Sequence, residues 1–363
     1  MLLTQLYQTW FGRLRAQVSG ERVTRVRNAA WMIVGLFVSR SVHLEQIARK
    51  LPIRAKKLSL SRRMRRFLDN AEVRVRPWYE ATARWLLHSA YVSGQIRLLM
   101  DSTRVSHDHR LLMVAVAFRR RALPIAWTWK RSHQGHTTAA TQIALLRYMR
   151  TLLPAKAQVV LVGDGEHGRR ALVGQLQQWG WGYALRQAGR IGVRPQPGAD
   201  WIRLDQIQLS PGQSCWLPDA ELSQSQPIHT GLLLHWQPGE DRPWFLVTNL
   251  ASGWATLRAY RYRMWIEELF GDLKGHGFDL EATRLRTVQR LSRLTLLVCW
   301  LYVALLGLGE HVWRSGQRTE VDRTDRRDLS IFRLGWDWLE RRLALNDPLP
   351  PIRWPTLAKL SGR

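Results

Sequence analysis

Apolar and polar positions along the chain change their period several times, and each period predicts a different kind of element. Residues 1 to about 75 have the three-to-four-residue spacing of amphipathic helices. Within this stretch, one helix is predicted to run to Leu51 and a second to Leu68, with a break at Pro52 between them. The N-terminal part of the chain is therefore expected to be helical.

From Gln95 onward the pattern changes to the alternation of a strand, QIRLLMDSTRV, which is expected to end on Asp101. Two further apolar runs, residues 110–118 and 122–129, flank a basic turn, so three strands are expected to form a meander. A helix over residues 137–153 and a short buried strand that runs into a loop at Asp164 follow.

The pattern predicts another helix from Glu166 to Trp179, and then the strand WGYALRQ. Between Gly189 and Pro243 the composition shifts to Gly, Pro, Gln and Ser with short apolar runs, which favours a mainly β segment. The strand PWFLVTNL is expected to return the chain to the core.

A helical stretch from Tyr260 to Lys274, YRYRMWIEELFGDLK, carries two adjacent stripes. The apolar stripe is formed by Tyr262, Ile266, Leu269, Phe270 and Leu273. The polar stripe is formed by Tyr260, Arg263, Glu267 and Lys274. On a helix of about 3.6 residues per turn, the four polar positions fall within roughly 60° of one another. One carboxylate thus lies between two cations and a phenol.

The net charge of the chain indicates which class of partner it binds. It has 55 Lys and Arg against 28 Asp and Glu, a net charge of +27. Such an excess favours a polyanion, and nucleic acid is the commonest one, with an anionic membrane surface as the competitor. The apolar stretch 294–309 is short for a bilayer, so we expect a buried helix and no membrane span.

Two cysteines give neither a disulfide framework nor a zinc pattern, which suits a reducing cytoplasm. The N-terminus lacks the features of a signal peptide.

Between Arg49 and Arg66 there are nine basic residues and no acidic ones. This helix–turn–basic-helix pattern favours a helix-turn-helix that binds DNA, and the alternative is a basic hairpin that packs on the next domain. The candidate DNA-binding residues there are Arg54, Lys56, Lys57, Arg62 and Arg63.

The spacing Tyr-x2-Arg-x3-Glu-x6-Lys, matched at all four positions of the polar stripe, resembles the signature of the DDE transposases of insertion-sequence family four. The resemblance implies that Glu267 is the third metal-binding carboxylate and that Tyr260, Arg263 and Lys274 hold DNA near the scissile phosphate. The strand order also resembles the ribonuclease-H-like core of that family. Its first two carboxylates would then be Asp101 and Asp164.

Other acids compete for these roles. Glu268 lies about 100° around the helix from Glu267 and leaves the polar stripe. Glu166 and Asp108 are the alternatives to Asp164 and Asp101. The family commonly has a bulky basic residue directly after its second aspartate, whereas this chain has Gly165.

Two other groups of residues are candidates for contacts with DNA. His133 and His136 are expected to face phosphate rather than to bind zinc. The resemblance also allows one aromatic of the β segment to stack on a flipped base. The candidates for that stacking are Trp236, Trp244 and Trp254.

The sequence thus predicts an α/β fold: a ribonuclease-H-like core with an inserted β subdomain, preceded by an all-α N-terminal DNA-binding region. The predicted domains are a helical basic region (1–90), the first part of the catalytic core (91–188), the β insertion (189–243), the second part of the core (244–310) and a C-terminal tail (311–363) that can serve dimerisation.

The predicted function is Mg²⁺-dependent cleavage at transposon ends followed by strand transfer, with Asp101, Asp164 and Glu267 as catalytic and metal-binding residues. The resemblance implies two Mg²⁺ ions (with Mn²⁺ able to substitute), cut-and-paste transfer and a homodimer on double-stranded DNA, both terminal repeats and target. It also implies a prokaryotic, nucleoid-associated cytoplasmic protein. Two alternatives stay open: an inactive DNA-binding regulator, and a nuclease of the same fold without strand transfer.

Overall fold

The structure, a computed structural model, describes residues 2–106, 108–131 and 135–357. The chain forms two compact units. The first consists of Met1–Ser89, Val105–His109 and Leu269–Arg363, and the second of Ala90–Arg104 and Arg110–Glu268.

Helices and strands alternate in the middle of the chain, and helices alone occupy both ends of the described part. The helices are α1 Leu2–Gln17, α2 Val23–Ser39, α3 Leu44–Lys50, α4 Lys57–Asp69, α5 Val75–Val92, α6 Ala139–Arg150, α7 Arg170–Gln178, α8 Gly253–Tyr260, α9 Met264–Leu273, α10 Val288–Arg314 and α11 Ile331–Leu345. The strands are β1 Ile96–Arg104, β2 His109–Phe118, β3 Arg121–Arg131, β4 Val159–Gly163, β5 Gly182–Arg186, β6 Gly192–Arg194, β7 Ile202–Arg203, β8 Ser214–Leu222, β9 Ile228–His235 and β10 Trp244–Thr248.

One mixed sheet organises the second unit, with the strand order β3-β2-β1-β4-β5-β10-β9-β8-β6-β7. Strands β1, β4 and β5 are parallel to one another, while β2 pairs with β1 and β10 pairs with β5 in the antiparallel sense. All five residues of β4 are buried, as expected of a parallel strand in the interior of a sheet. The prediction of a mixed α/β fold is confirmed.

The strands of residues 189–243 continue this same sheet. Strands β8 and β9 pair with each other, and β9 pairs with β10, so the segment extends the sheet beyond the parallel centre. The three-stranded meander expected from residues 95–131 corresponds to β1, β2 and β3.

Among the predicted helices, the one expected from Glu166 and the one expected from Tyr260 begin or continue differently in the structure. The helix expected from Glu166 begins at Arg170 instead. Asp164 accounts for this delay, because its side chain accepts a hydrogen bond from the Glu166 amide at 3.0 Å and its carbonyl accepts one from the His167 amide at 2.9 Å. The chain therefore makes a turn before the helix can start.

The stretch Tyr260–Lys274 is also not one continuous α-helix. Helix α8 ends at Tyr260, a 3₁₀ turn covers Arg261–Arg263, and α9 begins at Met264. The backbone stays in the right-handed helical region throughout, with φ of −66° at Tyr260 and −58° at Met264, so the break is a local tightening of the helix.

In the first unit, α10 forms the core. It packs against α2, α4 and α11, and its residues from Leu294 to Glu310 are all buried. This helix is long and apolar enough to cross a membrane by composition, but 89% of its most apolar window is buried inside the protein. The prediction of a buried core helix is confirmed, although the helix is longer than the apolar run that predicted it.

Candidate active site

Two aspartates lie side by side because of the register between two parallel strands. In the β1–β4 pair, Met100 is opposite Gly163, so Asp101 and Asp164 follow side by side where this parallel pairing ends. Strand β1 does not end on Asp101 as predicted, because it continues to Arg104 and pairs Asp101 with Met113 of β2. In open α/β sheets, ligands bind at this carboxyl edge of the parallel strands.

His167 completes a compact cluster with these two acids. One ligand atom from each of Asp101, Asp164 and His167 lies within 4.8 Å of the other two. The His167 ring is completely buried, and its Nε2 is 3.5 Å from Oδ1 of Asp164. Two oxygen donors and one nitrogen donor thus converge at the edge of the sheet.

Burial and a neighbouring carboxylate both disfavour the charged form of Asp101. Burial and then the nearby charge of Asp164 raise the pKa of Asp101 to about 7. Arg263 and a hydrogen bond from the Ser102 amide, at 2.7 Å, act in the opposite direction. A divalent cation would relieve this repulsion, so the donor set fits the metal that the carboxylates predict.

Arg263 links the third predicted acid to the first. Its Nη1 lies 2.5 Å from Oε1 of Glu267 and 4.0 Å from Oδ2 of Asp101. Burial lowers the pKa of Arg263, but the acidic groups around it outweigh that effect and the net direction is upward. Glu267 lies outside the three-donor cluster and reaches it through this guanidinium.

Tyr260 lies at the end of α8 beside the same arginine. Burial raises the pKa of its hydroxyl, and the charges of Arg263 and Arg186 partly oppose this. Its ring meets Trp244 edge-on at 5.2 Å. These residues line a cavity of about 530 Å³.

The competing acids have structural partners. The Glu166 carboxylate accepts hydrogen bonds from the Ser102 hydroxyl at 2.7 Å and from the Thr137 amide at 2.5 Å, and it also accepts one from the Thr137 hydroxyl. Glu268 forms an ion pair with Arg121 at 2.8 Å. Asp108 lies in the turn between β1 and β2.

The other predicted DNA contacts lie in the first unit. Lys274 follows α9 and pairs with Glu281 at 2.9 Å. Of the basic residues around α4, Lys57 pairs with Glu45 at 3.0 Å and Arg63 donates a hydrogen bond to Asn28 at 2.5 Å.

The remaining basic candidates have exposed side chains: Arg54, Lys56 and Arg62. His133 lies outside the described residues. His136 is largely exposed, and its Nδ1 is 3.7 Å from Oε2 of Glu166.

The three candidate tryptophans differ in setting. Trp254 at the start of α8 is 65% exposed. Trp244 is packed on Tyr260, as described above. The indole of Trp236 donates a hydrogen bond to the Glu240 carbonyl at 2.8 Å and lines a cavity of about 760 Å³ with Arg190 and Arg242.

His167 is not among the predicted site residues, because in the loop DGEHG the sequence predicts a role for the acids only. A pattern that could have identified it is present: a histidine three residues after an aspartate that ends a buried strand. The turn made by Asp164 returns that histidine to the carboxylate, since the His167 amide donates to the Asp164 carbonyl.

The chain is similar to known transposases. The sequence profile of the family described as "Transposase DDE domain" matches residues 94–304. No curated protein matches the sequence. Among solved structures, one similar chain comes from a cryo-EM structure of the piggyBac transposase synaptic complex with hairpin DNA. The two chains are 9% identical, the alignment covers 96% of this chain and 80% of that one, and the TM-score is 0.44.

Proposed function

Because this chain belongs to the Transposase DDE domain family, whose profile spans residues 94–304, we propose that it cuts DNA at the ends of a mobile element and joins them to target DNA. The observation that carries this proposal is the juxtaposition of Asp101 and Asp164 at one sheet edge, with Glu267 tied to Asp101 through Arg263.

Three finer assignments belong to the same proposal. The signature Tyr260, Arg263, Glu267 and Lys274 supports membership of insertion-sequence family four. The antiparallel meander β1–β3, followed by parallel strands β4 and β5, supports a ribonuclease-H-like core. The order of helices and strands supports the division into an N-terminal helical region, a core in two parts, a β insertion and a tail.

The proposed cofactor is Mg²⁺, with two ions held by Asp101, Asp164 and Glu267 and Mn²⁺ as a substitute. When bound, such cations act as Lewis acids that stabilise the attacking and leaving oxygens of a phosphodiester. Hard oxygen donors suit both ions. The partly exposed carboxylates of Asp164 and Glu267 remain open to ions and DNA from solution.

The protein's own residues have distinct tasks in this account. Arg263 offsets the negative charge of Asp101 and Glu267, and it can turn to a phosphate oxygen of bound DNA. The Tyr260 hydroxyl, buried beside it, can donate to another phosphate oxygen. In the first step, water attacks the phosphorus and the 3′ oxygen leaves. In the second, the freed 3′-hydroxyl attacks a target phosphodiester, whose own 3′ oxygen then leaves.

We further propose that α3 and α4 bind the terminal repeats. The exposed side chains of Arg54, Lys56 and Arg62 support this, as does the charge of +27. Cut-and-paste transfer by a homodimer, and a place in the bacterial cytoplasm on the nucleoid, belong to the proposal through the family resemblance.

The test uses the full chain, Mg²⁺ and linear DNA that carries the repeats flanking the gene. We expect the wild type to cut at the repeat. Glu267→Gln should lower the cleavage rate at least about a hundredfold while DNA binding persists, because charge stabilisation worth several kcal/mol is lost.

Glu268→Gln is the matched control, because the Glu268 carboxylate pairs with Arg121 and Glu268 lies outside the polar stripe. It should cut at close to the wild-type rate. Loss of cleavage in Glu268→Gln alone would contradict the assignment. Binding without cleavage by the wild type would favour the regulator, and cleavage without joined product would favour the nuclease.

A further inference from the structure

We propose that the imidazole of His167 is a direct ligand of the divalent cation at Asp101 and Asp164, so that this site combines carboxylates with one nitrogen donor. The inference rests on the proposed function, because it takes the metal from there. The inference goes beyond the proposed function because it assigns a ligand that the three-carboxylate signature does not contain.

The first support is the cost of burying this ring. The side chain of His167 is 0% exposed, and neither ring nitrogen has a hydrogen-bond partner in the part of the chain that the structure describes. A buried polar atom without a partner is destabilising, and folded proteins rarely leave one without a role. A metal ion would take up one of the two nitrogens.

The second support is geometry. Nε2 of His167 lies 3.5 Å from Oδ1 of Asp164, and the three donors, including that of Asp101, lie within 4.8 Å of one another. Ligand bonds of about 2.0–2.2 Å place the donors of one ion about 3–4 Å apart. Side-chain movements of about an ångström would therefore bring all three donors to one cation.

The third support is the fit of the ring against the backbone. Gly163 precedes Asp164, and a Cβ placed on it would lie 2.9 Å from Cβ and 3.1 Å from Cδ2 of His167. Any side chain at position 163 would thus displace the imidazole. The absence of one lets the ring pack onto the end of β4, directly beside the first residue of the loop.

The side chains next to His167 are less suited to bind the cation. The Glu166 carboxylate is taken by Ser102 and Thr137, and His136 lies at the exposed side of Glu166. The alternative role for His167 is to donate a hydrogen bond to Asp164 and hold that carboxylate in place. The 3.5 Å separation is long for such a bond, and direct ligation gives a different spectroscopic result.

A nitrogen ligand changes the metal preference of the site. Imidazole binds Mn²⁺ and later transition metals better than it binds Mg²⁺, which prefers oxygen. We therefore expect Mn²⁺ to bind more tightly than Mg²⁺. His167→Gln should raise the Kd for Mn²⁺ at least about tenfold, since loss of even an outer-shell partner costs about 10–100-fold. The Kd for Mg²⁺ should rise less.

The deciding experiment is pulsed electron paramagnetic resonance on the full-length protein with Mn²⁺ alone and no DNA. Wild-type protein should show ¹⁴N coupling from a directly bound imidazole. The coupling should vanish in His167→Gln while Mn²⁺ still binds through the carboxylates. In His136→Asn, the matched control, the coupling should persist.

Several results would overturn the proposal. They are wild-type protein that binds Mn²⁺ without ¹⁴N coupling, coupling that survives in His167→Gln, and wild-type protein that binds no Mn²⁺ at all. Absence of the coupling in wild-type protein overturns the proposal even if His167→Gln fails to fold, which circular dichroism would reveal. Failure of the proposed function is distinguishable, because it would leave the nitrogen coupling intact while repeat-containing DNA stays uncut.

Discussion

At the scale of the residue, two neighbours in one short loop have different tasks. The carboxylate of Glu166 is satisfied by protein donors, with Ser102 and Thr137 both bonded to it. The imidazole of His167 has no such partner among the described residues. Residue type alone would have suggested the reverse, since carboxylates are the usual Mg²⁺ ligands. The contacts distinguish an acid that holds the loop from a histidine that faces the proposed metal site.

We expect Glu166→Ala to lower the free energy of unfolding by about 2–3 kcal/mol, because the buried donors of Thr137 and Ser102 would lose their acceptor. Glu166→Gln keeps an acceptor oxygen and should cost less. Urea unfolding followed by circular dichroism measures both. An alanine variant as stable as wild type but unable to cut DNA would show that Glu166 acts in the chemistry.

At the scale of the element, the sequence pattern of neighbouring residues predicted the elements whose formation depends on those neighbours alone. The meander followed from alternation and short apolar runs, while the buried strand before Asp164 and the core helix α10 followed from continuous apolar runs. The β1–β4 register did not, because it depends on which residues of two strands separated by about sixty positions meet. The late start of α7 could not be predicted either, because it depends on a hydrogen bond that the Glu166 amide donates to the Asp164 side chain. Pairing of distant residues, and hence the place of His167, needed the structure.

One element contact invites a direct test. Helices α10 and α11 approach so closely that a Cβ on Gly335 would lie 2.0 Å from the Leu305 carbonyl oxygen. Gly335→Ala must force the helices apart, and we expect it to lower the free energy of unfolding by about 3 kcal/mol or more. Thermal and urea unfolding would measure this.

The control for that variant is Gly12→Ala in α1, where an added Cβ meets nothing within 4 Å. This change should stabilise the protein by about 0.5–1 kcal/mol, because alanine is the better helix former. Equal effects of the two alanines would contradict the packing described for α10 and α11.

At the scale of the whole molecule, charge and catalytic geometry have different consequences. The net charge of +27 favours binding to any DNA, because phosphate contacts release counterions. It carries no information on cleavage. The proposed phosphodiester chemistry depends instead on a few acids where the parallel pairing of β1 and β4 ends. A variant can therefore lose DNA cleavage and keep DNA binding, or the reverse.

Arg62→Ala should weaken binding to repeat-containing DNA and reduce the slope of log affinity against log salt by about 0.9, the value for one lost phosphate contact. Arg62 is exposed on α4. Arg341→Ala removes the same charge from the exposed surface of α11 and should leave that slope nearly unchanged. Fluorescence anisotropy at several salt concentrations compares them, and equal slopes for both variants would argue against α4 as the DNA-binding element.

If Asp101 and Asp164 help to join DNA ends to a target, as proposed, then strand transfer is the reaction to measure. Pre-cut repeat ends with a free 3′-hydroxyl are mixed with a supercoiled plasmid, Mg²⁺ and the full chain. Wild-type protein should give plasmid covalently joined to the end, whereas Asp101→Asn should bind the end and give none. Joined product from Asp101→Asn at the wild-type rate, or none from wild type that holds both metal and DNA, would contradict the account.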